Sequence, residues 1–139
     1  MLLNLGAHSL DKVLFMSGSR IKSVSGKVGY FADGVDVEGN GQIFLELENG
    51  VSAVATHCGY SKVREFQTEY IFTGGIIKTS FDRHITVQLG EKVWEEDIPG
   101  SDTFKRQLEA FAESITEGRD TVNSGEYGLE IIKAITSLY

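Results

Sequence analysis

Gln42-Ile43-Phe44-Leu45-Glu46-Leu47-Glu48-Asn49-Gly50-Val51 is the stretch that decides the fold class. Ile43, Leu45 and Leu47 take alternate positions with Glu46 and Glu48 between them, the period of a half-buried strand. Asn49-Gly50 suits the left-handed backbone of a tight turn, and a second alternating run, Val51 to Cys58, follows it. Two such runs joined by Asn-Gly predict an antiparallel hairpin.

Further strands flank the hairpin. Ile21 to Val28 reads as a strand, and the Gly- and Asp-rich stretch from Tyr30 to Gly41 as a loop. Downstream, Arg64 to Thr73 places Phe66, Thr68, Tyr70 and Phe72 on one face. Gly74-Gly75 turns the chain, and Ile76 to Phe81, Ile85 to Leu89 and Lys92 to Ile98 read as shorter strands ending at Pro99-Gly100. Helices stand outside this block. The first, Ser9 to Met16, is entered from a loop at Gly6-Ala7-His8-Ser9, has Asp11 in its first turn and stops at Gly18. The second is capped by Asp102 or Ser101, ends at Gly118, and carries a core stripe of Phe104, Leu108, Phe111, Ala112 and Ile115. Asn123 or Ser124 caps the third, with Glu126 placed for a capping box and Leu129, Ile132, Ile135 and Tyr139 as its buried stripe.

Segregated helices and strands predict an α+β fold: one domain over residues 1–139, with an open, predominantly antiparallel sheet of about six strands and helices packed on one face. Phe66, Tyr70 and Phe72 leave the other face half-apolar. Such a face is expected to be covered by a second copy, in a homo-oligomer, dimer or tetramer.

The formal net charge of −7 argues against a nucleic-acid partner, which needs a basic face. No apolar run is long enough for a membrane span, and the opening Met1-Leu2-Leu3-Asn4-Leu5-Gly6 lacks the basic start of a signal peptide. Cys58 is the one cysteine, so no internal disulfide forms, and a cytoplasmic setting is expected. The apolar start, and a final amphipathic helix running to Tyr139 without a stop signal, suggest a piece cut from a longer protein.

Few residues carry chemistry. Gly39-Asn40-Gly41 precedes a strand and lacks the third glycine of a dinucleotide fingerprint, and Gly26-Lys27-Val28-Gly29 fails likewise, so no cofactor-binding residues are assigned. No metal site is expected, because the adjacent His57 and Cys58 would point to opposite faces of a strand. Ser9, His8 and Asp11 stand too close together in sequence for a hydrolase triad, and no nucleophile elbow is present. By residue type alone, His8 at a helix start is a cap or surface residue; its neighbours change that reading.

Asn4-Leu5-Gly6-Ala7-His8-Ser9-Leu10-Asp11 resembles the motif opening the C-terminal domain of the Gfo/Idh/MocA oxidoreductases: Asp, any, Gly, any, His, any, any, Asp. Gly6, His8 and Asp11 match, and Asn4 stands where the family usually has aspartate. Glu38 with the strand ending Leu45-Glu46-Leu47-Glu48-Asn49-Gly50, the turn Phe72-Thr73-Gly74-Gly75-Ile76-Ile77, and the last two helices are similar to family elements in the same order.

The resemblance implies an NAD- or NADP-dependent dehydrogenase acting on a sugar, inositol or other polyol. Its cofactor would be held by an N-terminal Rossmann domain absent here, leaving this piece inert alone. His8 matches the catalytic histidine, and Asn4 and Asp11 fall among the substrate-binding positions. The family's cooperating lysine would come from the Rossmann domain. An amide at position 4 hydrogen-bonds but cannot take a proton, which puts the usual acid–base partnership in question; Asp11 either caps or salt-bridges the helix start or meets substrate. Two other readings stand beside this one: a stand-alone ligand-binding or assembly module, and an inactive scaffold relative.

Overall fold

A computed structural model describes residues 1–139 apart from Ala32, Asp33, Val35 and Val122. The elements are a π-helical turn (Leu2–Gly6), α1 (Ala7–Ser17), β1 (Ile21–Gly29), β2 (Asn40–Leu47), β3 (Ser52–Cys58), β4 (Gln67–Phe72), β5 (Gly75–Ser80), β6 (His84–Leu89), β7 (Lys92–Asp97), α2 (Thr103–Glu117) and α3 (Gly125–Thr136). Part of the loop expected at Tyr30 to Gly41 lies outside the described residues, and β2 already begins at Asn40. Every strand pairing is antiparallel, so the fold is α+β. The strands make two ladders, β1-β2-β3 and β4-β5-β6-β7, where one open sheet of about six was expected. The chain divides into two compact units, Met1–Ser61 with Asp120–Tyr139, and Lys62–Arg119.

In the first unit the β2–β3 hairpin has the expected register, with Leu45 opposite Ala53 and Glu46 opposite Ser52. Gly50 adopts φ +84°, and Asn49 Oδ1 accepts from the Val51 amide at 3.1 Å. Ile43, Leu45 and Leu47 are buried while Phe44, Glu46 and Glu48 are exposed. The opening turn, α1 and α3 pack together and on the strands. Their core joins Leu2, Leu10 and Leu14 to those three strand residues and to Ile131, Ala134 and Ile135. Each large aliphatic side chain so buried contributes about 1.5–3 kcal/mol by transfer from water. Leu2 sits over Gly41, where a Cβ would lie 2.7 Å from Leu2 Cδ1.

The chain entering α1 is not a loop. Gly6 closes the π turn and Ala7, His8 and Ser9 are already helical. The cause is a tertiary contact. The buried Glu38 carboxylate accepts from the Met1 ammonium and the Leu2 amide, each at 2.6 Å, placing negative charge where a helix start exposes its amides. Asp11 is the fifth residue of α1, beyond its first turn, so it does not cap that helix. Gly18 ends α1 at φ +60°.

Two further expectations about α3 change. Ser124 is the N-cap, its hydroxyl accepting from the Tyr127 amide at 3.2 Å, so Glu126 falls one position short of a capping box. The buried residues are Ile131, Ala134 and Ile135, with Tyr127 and Leu138 against them, while Leu129, Ile132 and Tyr139 are exposed. Both sets recur at helical spacing, and the sheet selects the one that includes the small Ala134.

The second unit is the meander β4–β7 with α2. Phe66, Thr68 and Tyr70 are partly buried, but Phe72 at the strand end is exposed. Asp102 caps α2 by accepting from the Lys105 amide at 3.0 Å, and Gly118 ends it at φ +63°. The stripe Phe104, Leu108, Phe111 and Ile115 was expected in a core but is 55–78% exposed. Periodicity identified the apolar face of α2; it carries no information on what covers that face.

Candidate functional site

Among the described residues, His8 and Asp11 come together on α1, three residues apart and so on one helical face. They line an open cavity of about 250 Å³ whose other wall is the start of α3: Asn123, Ser124, Tyr127 and Gly128, with Ile131 and Ile132 deeper along that helix and Ala7 beside His8. His8 is exposed and Asp11 half-buried. Asn4, one turn earlier in the π segment, is exposed and is not part of the lining. The motif therefore divides: its histidine and second acidic position meet in one cavity, and its first position stands outside.

A polar tie joins the two walls. The Tyr127 hydroxyl donates to Asp11 Oδ1 at 2.7 Å and lies 3.3 Å from the Asp11 carbonyl oxygen. Burial, then the bond to Asp11 and its charge, push the phenol's pKa well above its usual value, so the hydroxyl keeps its hydrogen and donates. One turn along α3, the Glu130 carboxylate accepts from the Ile21 amide at 2.7 Å and from Arg20 Nε at 3.0 Å. The wall carrying Tyr127 is thus fixed to α1 on one side and to the start of β1 on the other. Tyr127 was not singled out from the sequence. The available signal was its place in the stripe Tyr127, Ile131, Ala134, Leu138, an aromatic with one polar tip at the exposed end of a buried row.

The other histidines lie elsewhere. His57 is half-buried on β3, and burial lowers its pKa below the usual imidazole value; its Nε2 is buried without a partner, and its neighbour Cys58 is exposed, as strand alternation requires. His84, on β6 in the second unit, meets Asp97 at 2.8 Å across the β6–β7 ladder, and that hydrogen bond raises its pKa. Among the described residues no three His, Cys, Asp or Glu side chains group as metal ligands, and no helix is long and apolar enough to cross a membrane. Gly39-Asn40-Gly41 runs directly into β2, and Gly26 and Gly29 lie within β1. Neither glycine pair opens a helix, so these residues do not fit a dinucleotide's pyrophosphate.

The chain is thus an antiparallel α+β fold with a histidine and a carboxylate on one helix face beside an open cavity. The chain belongs to the GFO/IDH/MocA family: residues 1–78, more than half of its length, match the model of that family's C-terminal domain. No curated protein matches. Solved structures share the fold. Aldose-aldose oxidoreductase from Caulobacter crescentus, solved with glycerol, superposes with a TM-score of 0.86 at 20% identity over 99% of this chain and 44% of that one. UDP-N-acetylglucosamine 3-dehydrogenase from Acidithiobacillus ferrooxidans gives 0.83 at 17% identity over 96% and 44%. An oxidoreductase from Agrobacterium radiobacter, in complex with NAD+, L-tartaric acid and magnesium, gives 0.84 at 18% identity over 100% and 46%. The chain spans less than half the length of each of these proteins.

Proposed function

We propose that this chain is the substrate-side domain of an NAD- or NADP-dependent oxidoreductase acting on a sugar, inositol or other polyol, with the nucleotide held by an N-terminal Rossmann domain outside it. The observation that carries this reading is His8, exposed on α1 at the mouth of the cavity that Asp11 and the start of α3 also line. Oxidising an alcohol requires loss of the hydroxyl proton as well as a hydride. Histidine is the side chain whose ordinary titration range suits that proton. His8 is assigned as the proton acceptor. Asp11, with Asn123 and Ser124 opposite, supplies acceptors and donors for the remaining hydroxyls of a polyol. Asn4, an exposed amide one turn away, is assigned to substrate only through its hydrogen-bonding capacity.

The family membership and the printed activities of the similar structures support an oxidoreductase over a stand-alone ligand-binding module. A homo-oligomer formed through the open sheet face and a cytoplasmic setting complete the proposal. The test is His8→Ala in the full-length protein, assayed for nicotinamide reduction with D-glucose and myo-inositol. Turnover should fall by roughly 10²–10⁴-fold, the usual worth of a positioned acid or base. An unchanged rate removes His8 from the reaction.

A further inference from the structure

We propose that Tyr127 is a positioning residue of this site: it holds the Asp11 carboxylate in the cavity that His8 also lines, so that Asp11 supplies the negative charge there that the amide of Asn4 does not. The inference rests on the functional reading above and adds a residue that the opening motif does not contain.

The geometry carries it. Tyr127 Oη lies 2.7 Å from Asp11 Oδ1, and 116 positions of sequence separate the two residues, so the bond exists only because α1 and α3 pack together. Both residues line the cavity that His8 also lines. Tyr127 is itself fixed. Its amide donates to the Ser124 hydroxyl at 3.2 Å, and its ring packs on the core cluster. A carboxylate on an exposed helix face ordinarily samples several rotamers; a donor anchored in a neighbouring helix selects one. A carboxylate accepts several hydrogen bonds at once, so this bond orients Asp11 without using up its capacity to face His8 or a substrate hydroxyl. The phenol remains a donor because burial and the neighbouring carboxylate both oppose its ionisation. Asn4, by contrast, is neutral and lies outside the lining.

The experiment is a double-mutant cycle in the full-length oxidoreductase, following nicotinamide reduction with D-glucose and myo-inositol, with His8→Ala as the reference. Tyr127→Phe keeps the ring and removes the donor. It should lower kcat about tenfold while KM stays within about threefold and the thermal midpoint moves by only a few degrees. Asp11→Asn should lower kcat at least as much. The double variant should be no slower than Asp11→Asn alone, because Tyr127 acts through Asp11. Losses that multiply, or a Tyr127→Phe enzyme that loses stability and keeps its kcat, would overturn the inference. If His8→Ala abolishes turnover and Tyr127→Phe leaves kcat unchanged, the positioning role fails and the oxidoreductase reading stands. If neither polyol is turned over with NAD+ or NADP+, or His8→Ala is as fast as the parent, the functional reading fails and this inference with it.

Discussion

Glu130 accepts the backbone hydrogen of Ile21 at 2.7 Å, tying the middle of α3 to the first residue of β1 across 109 positions of sequence. The same carboxylate meets Arg20 Nε at 3.0 Å, but that guanidinium stands largely in water. A hydrogen bond to a partly buried amide and an exposed ion pair differ in worth, and the first should dominate.

Glu130→Ala leaves the Ile21 amide without its partner and is expected to cost about 1–3 kcal/mol. Glu130→Gln keeps an acceptor oxygen and should cost less. Arg20→Ala should cost least of the three. Urea unfolding midpoints at constant m-value report the order; equal losses for Arg20→Ala and Glu130→Ala would assign the tie to charge.

The hairpin and the α+β class were legible in the sequence because Gln42 to Glu48 has only one amphipathic reading, and Asn49-Gly50 fixes the turn. The α3 face was not, because Leu129 and Ile132 recur at helical spacing as well as Ile131 and Ile135 do, and only the sheet beneath decides between them. The β5–β6 turn was also hidden. Phe81 and Asp82 take φ of +51° and +54°, a backbone that aspartate tolerates but that phenylalanine does not advertise. Of the candidate site, the motif pointed to His8 and Asp11, which line one cavity, and to Asn4, which does not. Tyr127 offered only its place at the end of a buried stripe, because its partner is a helix at the opposite end of the chain. The π turn was hidden for the same reason: the group that stabilises it, Glu38, belongs to another segment.

Glu38 gives a pH dependence with a definite sign. Hydrogen bonds from the Met1 ammonium, then from the Tyr139 hydroxyl, with a further one from the Leu2 amide, lower its pKa to about 2 against the opposing effect of burial. A carboxylate with a depressed folded pKa adds stability above its unfolded pKa and loses it on acidification. Stability from Glu38 should therefore be complete above about pH 4.5 and decline as the pH falls toward about 2. In the 139-residue chain, whose Met1 ammonium is free, Glu38→Gln should be less stable at neutral pH, and the gap should narrow through that window. A gap that stays constant between those pH values would contradict the assignment.

Gly26 makes room where β1 passes under the end of α3. A Cβ there would collide with the Gln42 carbonyl oxygen of the paired strand and lie 3.2 Å from Leu138 Cδ2. Gly26→Ala should destabilise by about 1–3 kcal/mol, the usual cost of overpacking. Adding Leu138→Ala should not restore the loss, because the closer obstacle is backbone. Thermal unfolding of the single and double variants checks this; full recovery in the double variant would place the conflict at the side chain.

The bare backbone of Gly41 has a consequence for orientation. By admitting Leu2 against the strand itself, it fastens the chain's second residue to the middle strand of the β1-β2-β3 ladder. The imidazole of His8 stands six positions after that anchor, so its place on α1 is referred to the strand through Leu2 and the helix.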